Sequence, residues 1–252
     1  MTRLTLDDVY EHVSGVCFKT GPPGQVGAET EWFVVDRQEP ERHVPIGRLR
    51  TAMETAGPPP AGSHITYEPG GQLELSSLPQ RGVAAAHIAL AADIAHVGNR
   101  LAREGLVLAG HGMDPHLGAP VFQLDEGRYR CMRAYFGEAG LAMMCTTASL
   151  QVCLDIGADE KDATRRWRLA HALGPVLVAA FANSPRTGHR SGRQVIWEGL
   201  DRGRTAPVVG CDPVTAWAKY ALDAQVMLLR DGWVPNPGMT FREWLDDGRP
   251  DV

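Results

Sequence analysis

Glutamates interrupt two stretches of the chain whose hydrophobic pattern is otherwise that of buried strands. Apolar and aromatic residues over 27–36 and 67–76 predict these two strands. In the first strand, Glu29 and Glu31 share a face with apolar side chains, because residues two apart lie on the same side of a strand. A buried carboxylate is costly unless it is paired or bound to a cation. The pattern therefore suits two carboxylates that converge on a cation.

The two segments together predict a site for a divalent cation. Their four glutamates are Glu29, Glu31, Glu68 and Glu74. No lysine or arginine occurs over 27–36 or 61–80 to neutralise them locally. Carboxylate oxygens, retained waters and substrate phosphates are the usual ligands of Mg²⁺. The alternative is that each glutamate lies on a solvated sheet face or pairs with a distant arginine.

The turn in the second segment decides whether both of its glutamates can reach one site. Pro69 and Gly70 fit the two central positions of a type II turn. In a regular two-residue hairpin, Glu68 and Glu74 would then lie on opposite faces. We expect both to serve one site only if the turn is wider or a bulge shifts the register.

Helical spacing of apolar residues predicts a helix over 83–103, which ends near Gly105, and a long helix that runs to about Asn183. Pro175 is expected to kink or split the long helix. Its predicted inward face consists of Trp167, Ala170, Leu173, Leu177 and Phe181. Residues 143–155 alternate between polar and apolar and predict a strand whose polar face carries Gln151.

Composition excludes several classes of protein. The 252 residues carry a formal charge of -5, and no basic run indicates nucleic-acid binding. No apolar run reaches the roughly 18 residues of a membrane span, and the first residues are too polar for a signal peptide. The five cysteines form no CxxC or zinc-type spacing. We therefore predict a cytoplasmic protein with one domain over 1–252 and no membrane or nucleic-acid partner.

The densest basic region follows Asn183. Its arginines are Arg186, Arg190, Arg193, Arg202 and Arg204. A basic loop that faces a carboxylate–metal site would clamp phosphates, whereas a solvated loop is the alternative for any single arginine. Arg128 lies beside Tyr129 in an arginine-rich stretch that is predicted to begin a helix, either at an anion-binding edge or on a solvated face. Because the sequence has no Walker-type or GxGxxG motif, a bound nucleotide would be held through metal and arginines.

In combination, these residues resemble the glutamate–cysteine ligases, in particular the ergothioneine-pathway type found in actinobacteria. The matching motifs run in order over nearly the whole chain: Gly27-x-Glu29-x-Glu31-Trp32-Phe33, Glu68-Pro69-Gly70-Gly71-Gln72-x-Glu74-x-Ser76, Gly110-x-Gly112-x-Asp114-Pro115, Arg128-Tyr129, the set Met144, Thr146, Ser149, Gln151 and Val152, then Asn183-Ser184-Pro185, and the spaced set Arg193, Trp197, Asp201 and Arg204.

The resemblance implies an α+β fold. Its curved antiparallel sheet is similar to that of glutamine synthetase and glutamate–cysteine ligase, with helices packed on the outer face. It also implies the reaction. ATP phosphorylates the side-chain carboxylate of L-glutamate, and the amino group of L-cysteine then displaces phosphate to give γ-glutamylcysteine.

The resemblance further implies a role for each matching residue. Glu29, Glu31, Glu68, Glu74 and Gln151 become contacts of Mg²⁺, with Glu31, Gln151 and Arg128 as substrate contacts and Arg193 and Arg204 as catalytic binders of phosphate or of the glutamate carboxylate.

Family members run much longer than this chain, which leads to two expectations. The sheet is expected to be incomplete, since the catalytic-type domain is truncated at its C-terminus relative to the family. Exposed edge strands would then favour self-association. The alternatives to the ligase are an inactive remnant that binds glutamate or nucleotide, and a carboxylate–amine ligase that uses another amine.

Overall fold

The computed structural model describes residues 4–247, with the exception of residues 117, 187, 211 and 236. One long strand organises a six-stranded sheet in this part of the chain. The strands are β1 (Gln25–Asp36), β2 (His64–Tyr67), β3 (Leu73–Ser76), β4 (Gln80–Arg81), β5 (Leu106–Ala109) and β6 (Leu150–Leu154). A separate ribbon consists of β7 (Leu228–Leu229) and β8 (Val234–Pro235).

All pairings in the sheet are antiparallel. β1 pairs with β3, β4, β5 and β6, and β2 pairs with β3. Because Glu29 and Thr30 each pair with both β3 and β6, these two strands lie on opposite edges of β1. The sheet does not close, since β6 pairs only with β1 among the described residues.

Helices occupy much of the remaining chain. They are α1 (Leu6–His12), which continues into a π-helical turn (Val13–Cys17), α2 (Ile46–Glu54), α3 (Gly82–Ala102), α4 (Gly127–Thr146), α5 (Glu160–Phe181), α6 (Gly192–Glu198), α7 (Arg202–Thr205), α8 (Pro213–Asp223) and α9 (Phe241–Asp247). A 3₁₀ turn (Asp231–Trp233) joins β7 to β8. This mixture of helices with an open antiparallel sheet confirms the predicted α+β class. In the described residues, no helix is both long enough and apolar enough to cross a bilayer.

Around β3, one face of the sheet is apolar and the other carries carboxylates. On the apolar face, Val34, Leu73 and Leu75 pack against α2 and α3. The helices contribute Leu49, Met53, Leu90, Val97 and Leu101 to this core. Each fully buried leucine stabilises the fold by about 1.5–3 kcal/mol. The alternating burial of β3 leaves Glu74 and Ser76 on the other face, so that the packing against α2 and α3 determines where the carboxylates point.

Two of the predicted elements need correction. α5 is a single helix that contains Pro175, but its predicted inward face is largely wrong. Leu173, Leu177 and Phe181 are 40%, 47% and 75% exposed. The strand predicted over 143–155 begins only at Leu150. Residues 143–146 instead end α4, where three of them join the buried cluster Leu141, Met143, Met144 and Cys145.

Candidate functional site

The loop between β2 and β3 is wider than a two-residue hairpin. Tyr67 pairs with Leu73, which leaves the five-residue loop 68–72. Its ends are joined by a backbone hydrogen bond in which Glu68 N–H donates to the Gln72 carbonyl at 2.9 Å. A second bond lies within the loop, where Gly71 N–H donates to the Glu68 carbonyl at 2.8 Å. Gly71 has a φ of 87°, which favours glycine. The wider turn meets the condition for Glu68 and Glu74 to serve one site.

Two buried contacts hold this loop in place. The Gln72 side chain is buried, and its Nε2 donates to the carbonyls of Met144 and Thr147 at 3.1 and 2.9 Å. At Gly70, an added Cβ would lie 2.4 Å from the Cys145 carbonyl oxygen, so only glycine fits against the end of α4. The loop that carries Glu68 is therefore fixed to the segment that precedes β6.

Strand register brings the predicted site residues of three strands together. Glu31 of β1 lies directly opposite Glu74 of β3, and Glu29 lies opposite Gln151 of β6. Directly opposed side chains in an antiparallel pair have Cβ atoms about 4.5–5.5 Å apart. These four side chains therefore project from neighbouring positions on one face of the sheet.

Glu31 and Glu74 are oriented by hydroxyl and amide donors. Glu31 Oε2 accepts from the Ser149 backbone N–H at 2.8 Å and from its hydroxyl at 3.3 Å. Glu74 Oε1 accepts from the hydroxyls of Thr66 and Ser76 at 3.0 and 2.8 Å. Burial raises the pKa of Glu31, although the Ser149 hydrogen bonds and the Arg193 guanidinium oppose that shift.

Glu68 has the strongest electrostatic perturbation of the group. Burial, followed by the neighbouring carboxylates of Glu31 and Glu74, raises the pKa of Glu68 to about 7, and Arg128 only partly offsets this. Burial thus disfavours ionisation of Glu31 and Glu68, and the three carboxylates are close enough to repel one another. A proton or a divalent cation would relieve their mutual repulsion.

A cavity of about 390 Å³ opens over this face of the sheet. Its polar lining consists of Glu31, Glu68, Glu74, Gln151, Arg128 and Arg204, together with Gln72, Tyr129, Thr147 and Thr205. The apolar wall is supplied mainly by α4, through Met132, Phe136, Met143 and Met144, and by Trp197 of α6. Sequence analysis missed this wall, because it placed only the beginning of a helix near Arg128.

The two predicted catalytic arginines differ in their surroundings. Arg193 is close enough to Glu31 to act on its charge, and its guanidinium lies 5.3 Å from the Trp197 ring. Its Nε is buried without a hydrogen-bond partner among the described residues, and burial lowers its pKa. Arg204 lines the cavity but is already engaged, with Nε 3.3 Å from Asp201 Oδ2 and a second contact to the Gln225 carbonyl.

Two predicted residues lie outside the cavity lining found among the described residues. Glu29 projects from the same face as Glu31 but is absent from that lining, and Arg193 is absent as well. No three carboxylates of this group bring ligand oxygens within 4.8 Å of one another. The donor set nevertheless fits a hard cation such as Mg²⁺, which usually keeps waters and takes phosphate oxygens alongside one or two carboxylates.

We expect the Glu68→Gln variant to be less sensitive to pH than the wild-type protein in the presence of a chelator. The folded state, with a pKa of about 7 against an ordinary 4.5, binds the Glu68 proton more tightly than the unfolded chain does. This stabilisation is complete below about pH 4.5 and is lost as the pH rises through about 7. Glutamine stays neutral over this pH range. The free energy of unfolding of the wild type should therefore fall by about 1–2 kcal/mol relative to that of the variant as the pH rises, after allowance for solvent screening.

Urea unfolding at intervals between pH 4.5 and 8 measures this difference. Glu54→Gln on α2, which removes an exposed carboxylate, is the matched control and should follow the wild-type curve. Parallel curves for wild type and Glu68→Gln would contradict the raised pKa.

The sequence of this chain is similar to those of known enzymes. A family model described as "Glutamate-cysteine ligase family 2(GCS2)" matches residues 25–247. The chain belongs to glutamate–cysteine ligase family 2. Within this family, it is 40% identical to the glutamate–cysteine ligase EgtA of Mycobacterium tuberculosis (strain ATCC 25618 / H37Rv), over 95% of this chain and 60% of the relative.

Two further relatives extend this comparison. The EgtA of Mycolicibacterium smegmatis is 41% identical over 93% of this chain and 59% of its own length. The chloroplastic glutamate–cysteine ligase of Brassica juncea is 30% identical over 96% of this chain and 52% of its own length. The chain thus spans about half to three fifths of the length of these glutamate–cysteine ligases.

Proposed function

We propose that this chain forms part of the active site of an ATP-dependent ligase that joins the side-chain carboxylate of L-glutamate to the amino group of L-cysteine. The observation that carries the proposal is the gathering of Glu31, Glu68 and Glu74 in one cavity, with Arg128 and Arg204 in its lining. Membership of glutamate–cysteine ligase family 2 supports the choice of reaction.

The proposed chemistry activates a poor electrophile. A γ-carboxylate oxygen of glutamate attacks the terminal phosphorus of ATP, and the bond to the ADP oxygen breaks. The cysteine amine then attacks the acyl carbon, and phosphate leaves as the amine loses a proton. The product is γ-glutamylcysteine.

In this proposal, the carboxylates bind the divalent cation, and the arginines bind the anionic groups of the substrates. Glu31, Glu68 and Glu74 would bind Mg²⁺, with Glu29 and Gln151 as further oxygen donors on the same face of the sheet. When bound, Mg²⁺ neutralises the phosphates of ATP and the charge that develops during transfer. Arg193 and Arg204 would bind phosphate or the glutamate carboxylate, and Arg128 would contact substrate.

The resemblance to the ergothioneine-pathway type extends the proposal to ergothioneine biosynthesis in the cytoplasm. Cys17, Cys131, Cys145 and Cys153 are free thiols, which supports a reducing compartment.

Release of ADP tests the proposed reaction. In the presence of Mg²⁺ and ATP, we expect ADP to form only when both glutamate and cysteine are added, with γ-glutamylcysteine as the product. ADP formed with glutamate and a different amine would support a related carboxylate–amine ligase instead. Binding of ATP or glutamate without ADP release would instead support a non-catalytic protein that binds glutamate or nucleotide.

The open edge of the sheet supports a second proposal, self-association. Among the described residues, β6 has no partner on its outer edge. Its Leu150, Val152 and Leu154 are 65%, 57% and 64% exposed. An edge strand with an exposed apolar face is a template for pairing with a second chain.

We expect the protein to associate at micromolar concentrations and the Val152→Lys variant to remain monomeric, because a lysine on an edge strand opposes strand addition. Sedimentation velocity measures the difference. Val209→Lys is the matched control, since Val209 is 80% exposed but lies outside the sheet. A monomeric wild type, or equal association of wild type and Val152→Lys, would contradict this proposal.

A further inference from the structure

A second cluster of potential metal ligands lies apart from the carboxylate cavity. It consists of His43, which bridges to Val35 of β1, and of Asp114 and His116 in the loop that follows β5. One ligand atom from each of the three side chains lies within 4.8 Å of the others. None of the three lines the cavity that holds the glutamates.

The cluster is compact and mostly buried. His116 Nδ1 lies 2.8 Å from Asp114 Oδ1, and His43 Nε2 lies 3.7 Å from Asp114 Oδ2. The two imidazole ring centroids are 4.4 Å apart. The side chains of Asp114 and His116 are 3% and 6% exposed, whereas that of His43 is 22% exposed and open to solvent at one side.

One ring nitrogen in the cluster has no protein partner. His116 Nε2 is buried and makes no hydrogen bond with the described residues. The other ring nitrogen, Nδ1, lies 2.8 Å from Asp114 Oδ1, so an ion shared with Asp114 would bind His116 through Nδ1 in place of that hydrogen bond. His116 would then carry its proton at Nε2, the tautomer that leaves Nδ1 free to bind the ion.

We propose that His43, Asp114 and His116 bind a divalent transition-metal ion of the zinc class. Two imidazoles and one carboxylate suit Zn²⁺ or Co²⁺, whereas Mg²⁺ prefers oxygen ligands alone. Three protein ligands with a partly exposed histidine leave room for a water as the fourth ligand. The ion is therefore chemically distinct from the one proposed for the glutamate cavity.

The position of the cluster suggests what the ion would stabilise. The loop of Asp114 is bonded to the segment before β6, since Asp114 N–H donates to the Thr146 carbonyl at 2.9 Å and Ala148 N–H donates to the Gly112 carbonyl at 3.2 Å. The next residue along that segment, Ser149, holds Glu31. A metal ion would thus tie the β1–α2 connection, through His43, to the loop that supports the carboxylate cavity.

Metal binding to tag-free protein, stripped with a chelator and dialysed, tests this inference. We expect one Zn²⁺ per chain by elemental analysis, competition with a chromophoric chelator, and a visible Co²⁺ spectrum with nitrogen and oxygen ligands. His43→Gln and His116→Gln should each weaken Zn²⁺ binding by at least about 10- to 100-fold, the loss that follows removal of a mere outer-shell partner. Because His43 is more exposed than His116, its replacement is less disruptive to folding. The His43→Gln variant therefore tests the metal site even if His116→Gln fails to fold.

Two controls separate this site from other metal binding. His111→Gln replaces an exposed histidine of the same loop, and Glu74→Gln alters the glutamate cavity; both should bind Zn²⁺ like the wild type. Absence of stoichiometric Zn²⁺ binding by the wild type would overturn the inference. Undiminished binding by a folded His43→Gln, or an equal loss in His111→Gln, would overturn it as well.

Discussion

Replacing Glu74 by alanine is expected to weaken Mg²⁺-ATP binding by about 100-fold, or about 3 kcal/mol, while the protein stays folded. Glu74 lies opposite Glu31 in the register of β1 and β3, and its charge acts on Glu68. Its loss would therefore remove one carboxylate from the proposed cation site. The alternate β3 residues, Leu73 and Leu75, remain buried in the core, so the strand should keep its place.

Isothermal titration calorimetry with Mg²⁺-ATP measures this effect, and circular dichroism checks the fold. Glu74→Gln keeps the size of the side chain and should reproduce most of the loss, which would attribute it to charge. Glu54→Gln, the exposed control on α2, should bind like the wild type. Unchanged nucleotide affinity in both Glu74 variants would remove this residue from the proposed site.

Replacing Arg193 by methionine is expected to weaken binding of glutamate or Mg²⁺-ATP by about 100-fold without lowering the stability of the ligand-free protein. Burial disfavours the charged guanidinium, and its Nε has no hydrogen-bond partner among the described residues. Exchange of a poorly compensated buried charge for an apolar side chain is often neutral or stabilising. An anionic ligand would lose a pre-positioned cation, an effect of about 3 kcal/mol in comparable sites.

Binding isotherms and thermal unfolding of the same samples separate the two parts of this prediction. Arg190→Met, which removes an exposed arginine from the same region, should leave both properties unchanged. A large fall in melting temperature for Arg193→Met, with ligand affinity intact, would indicate that Arg193 stabilises the fold rather than binding substrate.

The sheet and its acidic face could be predicted from the sequence, because alternation and helical spacing are local signals. The glutamate strand is observed as β1, and the helix predicted over 83–103 is observed as α3. The register between β1 and β3 determines which glutamates lie next to each other. The sequence pattern left open whether Glu68 could reach the same site as Glu74. The answer depends on the conformation of the loop 68–72, which is fixed by long-range contacts such as the hydrogen bonds of Gln72 to the end of α4.

Features that depend on long-range packing were missed. The helical spacing in α5 predicted an inward face, yet Phe181 is 75% exposed, because spacing alone cannot say whether a partner surface is present. Most of α4 was not predicted, since residues 143–146 were assigned to a strand and Gly137 interrupts the helix with a φ of 60°. The cluster of His116 with His43 joins residues far apart in sequence, which no local pattern indicates.

The central claim is that the glutamates gather because a divalent cation binds among them. Titration with Mn²⁺, followed by the paramagnetic resonance of the free ion in the presence of ATP, tests it most directly. We predict that Mn²⁺ binds saturably and is displaced by Mg²⁺. The double variant Glu31→Gln, Glu74→Gln should lose this binding, and His43→Gln should retain it. Binding of Mn²⁺ by the double variant as tightly as by the wild type, or no binding by the wild type, would contradict the account.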